Sequence, residues 1–447
     1  MKSNGKKCAL ITGEERKNIH GSTHLSATVE AANFHENFDV VVIDECQMLS
    51  DHDRGSYWVK AILGVQAKEI HLITAPHALS LIKKILSFHG FGFEIVQHER
   101  NTPLLWEEKS CRFPTDIKNA DALIVFSKRK VLNIAAILLK KGFTVSVLYG
   151  SMPPETRRKQ MEQFRKGFSK ILVSTDAIGM GLNLPIKRIL FMENEKFDGK
   201  NVRLLKPEEV QQIAGRAGRE GIYEKGLVNA TKGSKSLKKS LKAIVQDIEF
   251  SYLPISQDSI KMFPYESFEL LKRTWEFYQI EIKDSPYKVH PLNEVEAKMA
   301  YLERKLNNLD IELPLSKKVS LCSVPFSIDE QHMTQCWLEM IKEYLLGNEL
   351  KYPHVYTDSS DVEKLENSYK KLSLYTSFLY SQSIDFDEDK VIDLKEEISK
   401  KIFQVLSKNL TTFIKKCTQC GKQLAWDFPH RNCEKCHRNR YYFEDYY

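Results

Sequence analysis

The stretch VVIDECQM, residues 41 to 48, decides how this chain is read. Val40 to Ile43 are apolar at consecutive positions and run directly into Asp44 and Glu45. A strand that is apolar at every position, rather than at alternate ones, belongs in a parallel sheet covered by helices on both faces. Polar residues just past such a strand stand where open α/β sheets bind ligands.

The same rhythm recurs in KEIHLITA, ADALIVFS, FTVSVLYG, SKILVSTD and IKRILFME, up to about residue 230. Between two of these runs, KRKVLNIAAILLKKG repeats apolar residues at helical spacing and stops at Gly142, which makes a βαβ unit. The rhythm breaks near 100 to 118, where a linker is expected. After about 235 the strands fade into helical patterns.

The chain has 447 residues, 42% hydrophobic and 28% charged, so it is a folded chain of several domains rather than a disordered one. No apolar run is long enough for a membrane helix, and the start MKSNGKKC has no apolar signal block. A cytoplasmic protein without membrane partners is therefore expected. The formal net charge of +7 permits an anionic partner without requiring one. Of nine cysteines, five are scattered and four cluster near the end, which favours a metal site over a disulfide framework.

Three motifs carry chemistry. At the end of its strand Asp44 can hold Mg²⁺, and Glu45 beside it can orient or deprotonate an attacking water. A strand that merely ends in acidic residues is the plainer reading of a lone Asp-Glu pair, but Gln47 tightens the pattern. In QQIAGRAGREG, residues 211 to 221, Arg216 and Arg219 are expected on one helical face, where their guanidinium groups can stabilise a transferred phosphoryl group. A solvated Arg-rich turn is the alternative. In SKILVSTDAIGMGLNLP, residues 169 to 185, the glycines allow close backbone approach, and Thr175 and Asn183 offer hydrogen bonds to phosphate or ribose.

In order, TGEER (12–16), HLSATVE (24–30), DECQ (44–47), LIVFSK (123–128), LYGSMPP (148–154), STDAIGMGLNL (174–184) and QIAGRAGR (212–219) resemble a superfamily-2 DExH-box RNA helicase. The likeness is to the mitochondrial-degradosome type and its bacterial relatives, and it continues through KVSLCSVPFS (318–327) and LENSYKKLSLYTSFLY (365–380) to about residue 400. It implies an α/β fold with two RecA-like parallel-sheet lobes, followed by a helical C-terminal region and a small zinc ribbon. The corresponding limits are 1–105, 106–235, 236–345, 346–410 and 411–447.

By this resemblance Asp44 carries magnesium, Glu45 activates water, and Gln47 couples the lobes. Arg216 and Arg219 meet the triphosphate of ATP, with Gln212, Gly215, Gly181 and Asn183 nearby. Thr12, Gly13, Ser127, Lys128 and Thr175 would lie along RNA, either a single strand or a 3′-tailed duplex. The implied activity is ATP-dependent unwinding of RNA, and a ribonuclease is an admissible partner.

A phosphate-binding loop needs Gly-x4-Gly-Lys followed by Ser or Thr, because its backbone N–H groups wrap the phosphates and the Lys bridges them. Three Gly-Lys pairs occur, Gly5-Lys6, Gly199-Lys200 and Gly421-Lys422, and none fits. In the family the loop precedes TGEER by several dozen residues. The expectation is an N-terminally truncated form with impaired ATP binding, whose first lobe exposes apolar strand edges.

At the other end, Cys417-x2-Cys420-x12-Cys433-x2-Cys436 has the spacing of a four-thiolate Zn²⁺ ribbon. A pair of redox motifs is the competing reading, and His430 and His437 could substitute as ligands although four thiolates do not need them. Surrounding cations interleave with Trp426, Phe428, Tyr441, Tyr442 and Phe443, a composition suited to single-stranded nucleic acid, unless those rings pack internally. Two other function classes stay open at this level. One is a non-catalytic RNA- or partner-binding module with helicase architecture; the other is a DNA helicase, which shares every motor motif.

Overall fold

The computed structural model describes residues 6–437, apart from 13–15, 18–19, 33, 35, 53, 180, 182, 254–268, 271–272, 275–283, 290–292, 307–312 and 409. The chain divides into two compact units, one of 1–96, 246–355 and 367–395, the other of 97–245, 356–366 and 396–447.

In the first unit β1 (Cys8–Ile11) lies between an antiparallel β2 (Arg16–Lys17) and a parallel β3 (His24–Ala27). The long strand of the DECQ segment, β4 (Asn37–Ile43), pairs in parallel with β5 (Gln66–Leu72), placing Ile43 opposite Leu72. Helices α1 (Gly55–Gly64) and α2 (Leu79–Phe88) bury Trp58, Val59, Ile62, Leu81, Ile82 and Ile85 against Ile43, Cys46 and Leu49. Gly55 is required at the start of α1, since a Cβ there would lie 2.4 Å from the Leu49 carbonyl oxygen. Val40 and Val42 of β4 are 53% and 58% exposed, so this strand is not covered on both faces as its consecutive apolar residues led one to expect.

Two short parallel strands, Ser251–Leu253 and Tyr287–Val289, interrupt a stretch expected to be helical. Ser251 explains the placement of the first, because its buried hydroxyl donates to the Leu49 carbonyl at 2.5 Å. Helices then follow at Asn293–Leu306, Leu315–Cys322, Gln331–Leu345, Val362–Gln382 and Glu388–Lys408. Among the described residues no helix is long and apolar enough to cross a membrane.

The second unit is built on a six-stranded, wholly parallel sheet. Its elements are β6 (Leu104–Trp106), β7 (Asp121–Ile124), α3 (Lys128–Lys140), β8 (Val145–Leu148), α4 (Pro154–Arg165), β9 (Ile171–Ser174) and β10 (Arg188–Phe191). After them come a hairpin, β11 (Glu195–Phe197) and β12 (Val202–Leu204), then α5 (Pro207–Ala214), β13 (Gly226–Ala230) and α6 (Ser234–Lys242). The sheet order is β6-β13-β10-β7-β9-β8. Every residue of β7, β9 and β10 is buried, as consecutive apolar positions require of central strands. Each fully buried Leu, Ile or Phe contributes about 1.5–3 kcal/mol of transfer free energy. The segment expected as a linker supplies β6, an edge strand whose pairing with β13 was hidden by its brevity.

Charge ties the start of β10 to the start of β7 and to the residue that follows β6. Arg188 at the start of β10 donates to Asp121 of β7 through Nε at 2.9 Å and Nη2 at 2.5 Å, and to Glu107 through Nη1 at 2.9 Å. Asn229 of β13 donates to the same Glu107 at 2.9 Å.

Candidate active site

The DECQ segment leaves β4 through a strained turn. Glu45 has φ 55° and ψ 39°, the left-handed region that non-glycine residues avoid. Such strain costs on the order of 1–3 kcal/mol and persists where surrounding contacts enforce it. Here Cys46 N–H donates to the Ile73 carbonyl at 2.9 Å, and Trp58 Nε1 donates to the Asp44 carbonyl at 2.9 Å. The Asp44 carboxylate accepts the Glu45 N–H at 2.7 Å and stays exposed. Gln47 donates to Glu45 and accepts the Ala75 N–H at 3.3 Å, linking the turn to the chain beyond β5. Cys46 is buried, and burial pushes its thiol up to about 12.

In the second unit the GRAGR segment is not helical. Helix α5 ends at Ala214, and Arg216 and Arg219 lie on the turn beyond it, so they do not share a helical face as expected. Gly218 forces this ending, with φ +73° and a backbone so close to Gly226 that a Cβ would lie 2.4 Å from its nitrogen. Arg216 then bends to the STDAIGMG loop, where Nε donates to the Gly179 carbonyl at 3.1 Å and Nη2 donates to the same oxygen. Gln212 packs on Gly179 as well, 3.5 Å from where its Cβ would be. The side chain of Arg219 has no hydrogen bond or ion pair with the described residues. Gly181 (φ +64°) and Asn183 are exposed. Gly215, which follows α5, directs its carbonyl to Arg100 at 2.7 Å.

The start of α5 is set by charge. Glu209 takes both Arg203 Nη atoms at 2.9 Å, Lys196 at 2.8 Å and the Lys206 N–H at 2.8 Å. Burial opposes its charge, yet the Arg203 and Lys196 hydrogen bonds prevail and hold its carboxyl down at about 2.

The residues expected along RNA divide. Ser127 is the N-cap of α3, accepting the Lys130 N–H at 3.3 Å. Thr175 is buried, and its hydroxyl accepts the Ala177 N–H at 3.3 Å. Lys128 Nζ lies 2.7 Å from the buried Glu366 carboxylate, which also accepts Tyr149 Oη at 2.9 Å and Ser151 Oγ at 3.0 Å. Thr12 is half-buried, and Gly13 lies outside the described residues.

At the carboxyl end the four cysteines converge, with their sulfur atoms all within 4.8 Å of one another and those of Cys420 and Cys433 3.7 Å apart. Tetrahedral zinc at about 2.3 Å from each sulfur would set neighbouring sulfurs roughly 3.8 Å apart, so the donor set fits Zn²⁺. Gly421 (φ +70°) turns the first knuckle, returning its N–H to the Cys417 carbonyl at 3.0 Å. The Cys433 N–H points at Cys417 Sγ from 3.3 Å, and it is the first cause that draws this thiol down to about 6. Two of the rings offered as stacking platforms pack internally: Trp426 meets Phe113 edge-on at 6.4 Å, and Phe428 covers the cysteine cluster. Lys232 stands 5.7 Å over Trp426 and pairs with Asp427. Arg438, Arg440, Tyr441, Tyr442 and Phe443 lie outside the described residues.

Residues 1–98 match the DEXQ-box helicase domain of Suv3, and residues 108–221 match the helicase conserved C-terminal domain. A Caenorhabditis elegans relative named ATP-dependent RNA helicase SUV3 homolog, mitochondrial, is 32% identical over 390 residues, covering 82% of this chain and 53% of the relative. Saccharomyces cerevisiae ATP-dependent RNA helicase SUV3, mitochondrial, is 40% identical over 259 residues, covering 55% of this chain and 35% of that protein. The chain thus spans about half the length of the worm relative and about a third of the yeast one. A solved structure, Saccharomyces cerevisiae Dbp5 bound to RNA and ADP BeF3, aligns with a TM-score of 0.39 at 17% identity, over 54% of this chain and 69% of that one. The cytoplasmic expectation is corrected by these names, since relatives from worm, yeast and rice are all called mitochondrial. Residues 1–98 and 108–221 are thus similar to two helicase domains, the first of the Suv3 DEXQ-box type.

Proposed function

We propose that this protein is an ATP-dependent RNA helicase. The observation that carries the reading is the strained DECQ turn: a carboxylate held exposed at a strand end, beside a second one gripped by Gln47. The likeness to relatives named as RNA helicases supports it. In this reading Asp44 holds Mg²⁺, Glu45 activates the attacking water, and Arg219 stabilises charge on the transferred phosphoryl group. Magnesium would supply neutralisation of the triphosphate. Arg216 has a supporting role, tying the GRAGR turn to Gly179.

Gly181, Asn183, Gln212 and Gly215 are proposed near the nucleotide, and Thr12, Gly13, Ser127 and Thr175 near the RNA backbone. Zn²⁺ in the four-cysteine site would be structural, fixing a ribbon too short to fold on an apolar core. The relatives' names support mitochondrial residence. A ribonuclease partner rests on the family resemblance alone. Because the sequence has no Gly-x4-Gly-Lys loop, ATP is expected to bind this polypeptide weakly, and assays extend to millimolar nucleotide.

The test is strand separation of a 3′-tailed RNA duplex with and without ATP, beside a DNA duplex of the same sequence. ATP-dependent release from the RNA duplex alone is expected. Release from DNA alone would favour a DNA helicase, and RNA binding without release at any ATP level would favour a binding module.

A further inference from the structure

The GRAGR turn is gripped by a residue outside every motif. Arg100 donates Nε to the Thr102 carbonyl at 2.6 Å, Nη1 to the Gly215 carbonyl at 2.7 Å, and Nη2 to the Ala217 carbonyl. The last two carbonyls flank Arg216. Asn101 Nδ2 donates to Glu220 at 2.7 Å, so residues 100–102 hold the turn on both sides of Arg219. The Gly218 N–H also donates to the Ile186 carbonyl at 2.8 Å, and Gly218 sits against Gly226 and Thr102 with no room for a Cβ. The backbone of the turn is thus fixed, while the Arg219 side chain stays unengaged by the described residues.

We propose that Arg100 is a positioning residue for Arg219. The inference rests on the reading of Arg219 as the group that meets the triphosphate. A planar guanidinium presents a rigid fork of N–H donors, here using three separate nitrogens for three carbonyls; a lysine ammonium, whose donors all sit on one nitrogen, does not reproduce that fixed spread. Removing Arg100 leaves carbonyls that water can satisfy, so the fold survives while the turn gains freedom. A displacement of about 1 Å in a catalytic group can cost roughly 100-fold in rate.

The experiment measures kcat/KM for RNA-stimulated ATP hydrolysis in the full chain, wild type and with Arg100→Ala, Arg100→Lys, Arg219→Ala and the Arg100→Ala/Arg219→Ala pair. Hydrogen exchange over residues 212–222 is followed in the same proteins. Arg100→Ala and Arg100→Lys should each lose about 100-fold, and Arg219→Ala about 1000-fold or more. The double variant should be no slower than Arg219→Ala, because a residue acting only through Arg219 has nothing left to position. Exchange should quicken over 212–222 in Arg100→Ala and stay unchanged over 128–140. Wild-type hydrolysis in Arg100→Ala, or a loss that multiplies in the double variant, overturns the proposal. Wild-type hydrolysis in Arg219→Ala would instead overturn the reading beneath it. Should no variant hydrolyse ATP, unchanged exchange at the turn in Arg100→Ala is the result that ends the proposal.

Discussion

The Lys128 ammonium and the Glu366 carboxylate form an ion pair at 2.7 Å in which the carboxylate is buried and the lysine half-buried. Tyr149 and Ser151 donate to the same carboxylate, so a residue of the helix Val362–Gln382 anchors that helix's first turn beside the carboxyl end of β8. Burial, reinforced by the Glu366 charge, pushes the Tyr149 phenol above its ordinary value and keeps it a donor. Breaking such a pair leaves a stranded charge. Glu366→Ala should lower stability by about 3–5 kcal/mol, and Lys128→Met added to it should restore part of the loss. Denaturant unfolding measures this; a loss under about 1 kcal/mol would show the pair to be idle.

The same pairing bears on RNA. A lysine already neutralised by a carboxylate releases no counterion when RNA arrives. The salt dependence of single-stranded RNA affinity should keep its slope in Lys128→Met, whereas a direct phosphate contact would lower it by about 0.7.

Glu209 predicts an acid-sensitive step. Its carboxyl is depressed to about 2 in the fold against 4.5 without it. A depressed carboxyl stabilises the fold above its unfolded pKa, and that contribution disappears as pH falls through the folded one. Wild type should therefore lose stability between pH 4.5 and pH 2 more steeply than Glu209→Gln, which should already be weaker at neutral pH. Parallel pH profiles for the two would remove Glu209 from the account.

For the ribbon, metal analysis of the purified chain should give about one zinc per molecule, lost in Cys417→Ser. Chelation should loosen 415–437 in hydrogen exchange and leave the six-stranded sheet protected. A ribbon that stays protected without metal would contradict the structural role.

Much of this was legible in the sequence because buried parallel strands leave consecutive apolar letters. The strands ending at Ile124, Leu148, Ser174 and Phe191 were visible in this way, the strand ending at Ile43 showed the same run of apolar letters although Val40 and Val42 are exposed, and the helix before Gly142 was visible from its period. The four cysteines were legible because their spacing is their geometry. The edge strand Leu104–Trp106 and the hairpin at Glu195–Leu204 were not, because three-residue strands have too few letters to show a period, although Asp198-Gly199 in the hairpin is a turn signal. Helical reasoning also carried too far into GRAGR, where contact between Gly218 and Gly226 ends the helix. Arg100, Glu209 and Glu366 had no spacing to betray them, since each meets its partners through tertiary structure or a local cap.

The most direct measurement is ATP hydrolysis with and without single-stranded RNA, by wild type, Glu45→Gln and Arg219→Ala. The account predicts stimulation by RNA, a loss of about 100-fold or more in Glu45→Gln with nucleotide binding retained, and a loss of about 1000-fold in Arg219→Ala. Hydrolysis indifferent to RNA, or unchanged in Glu45→Gln, would contradict it.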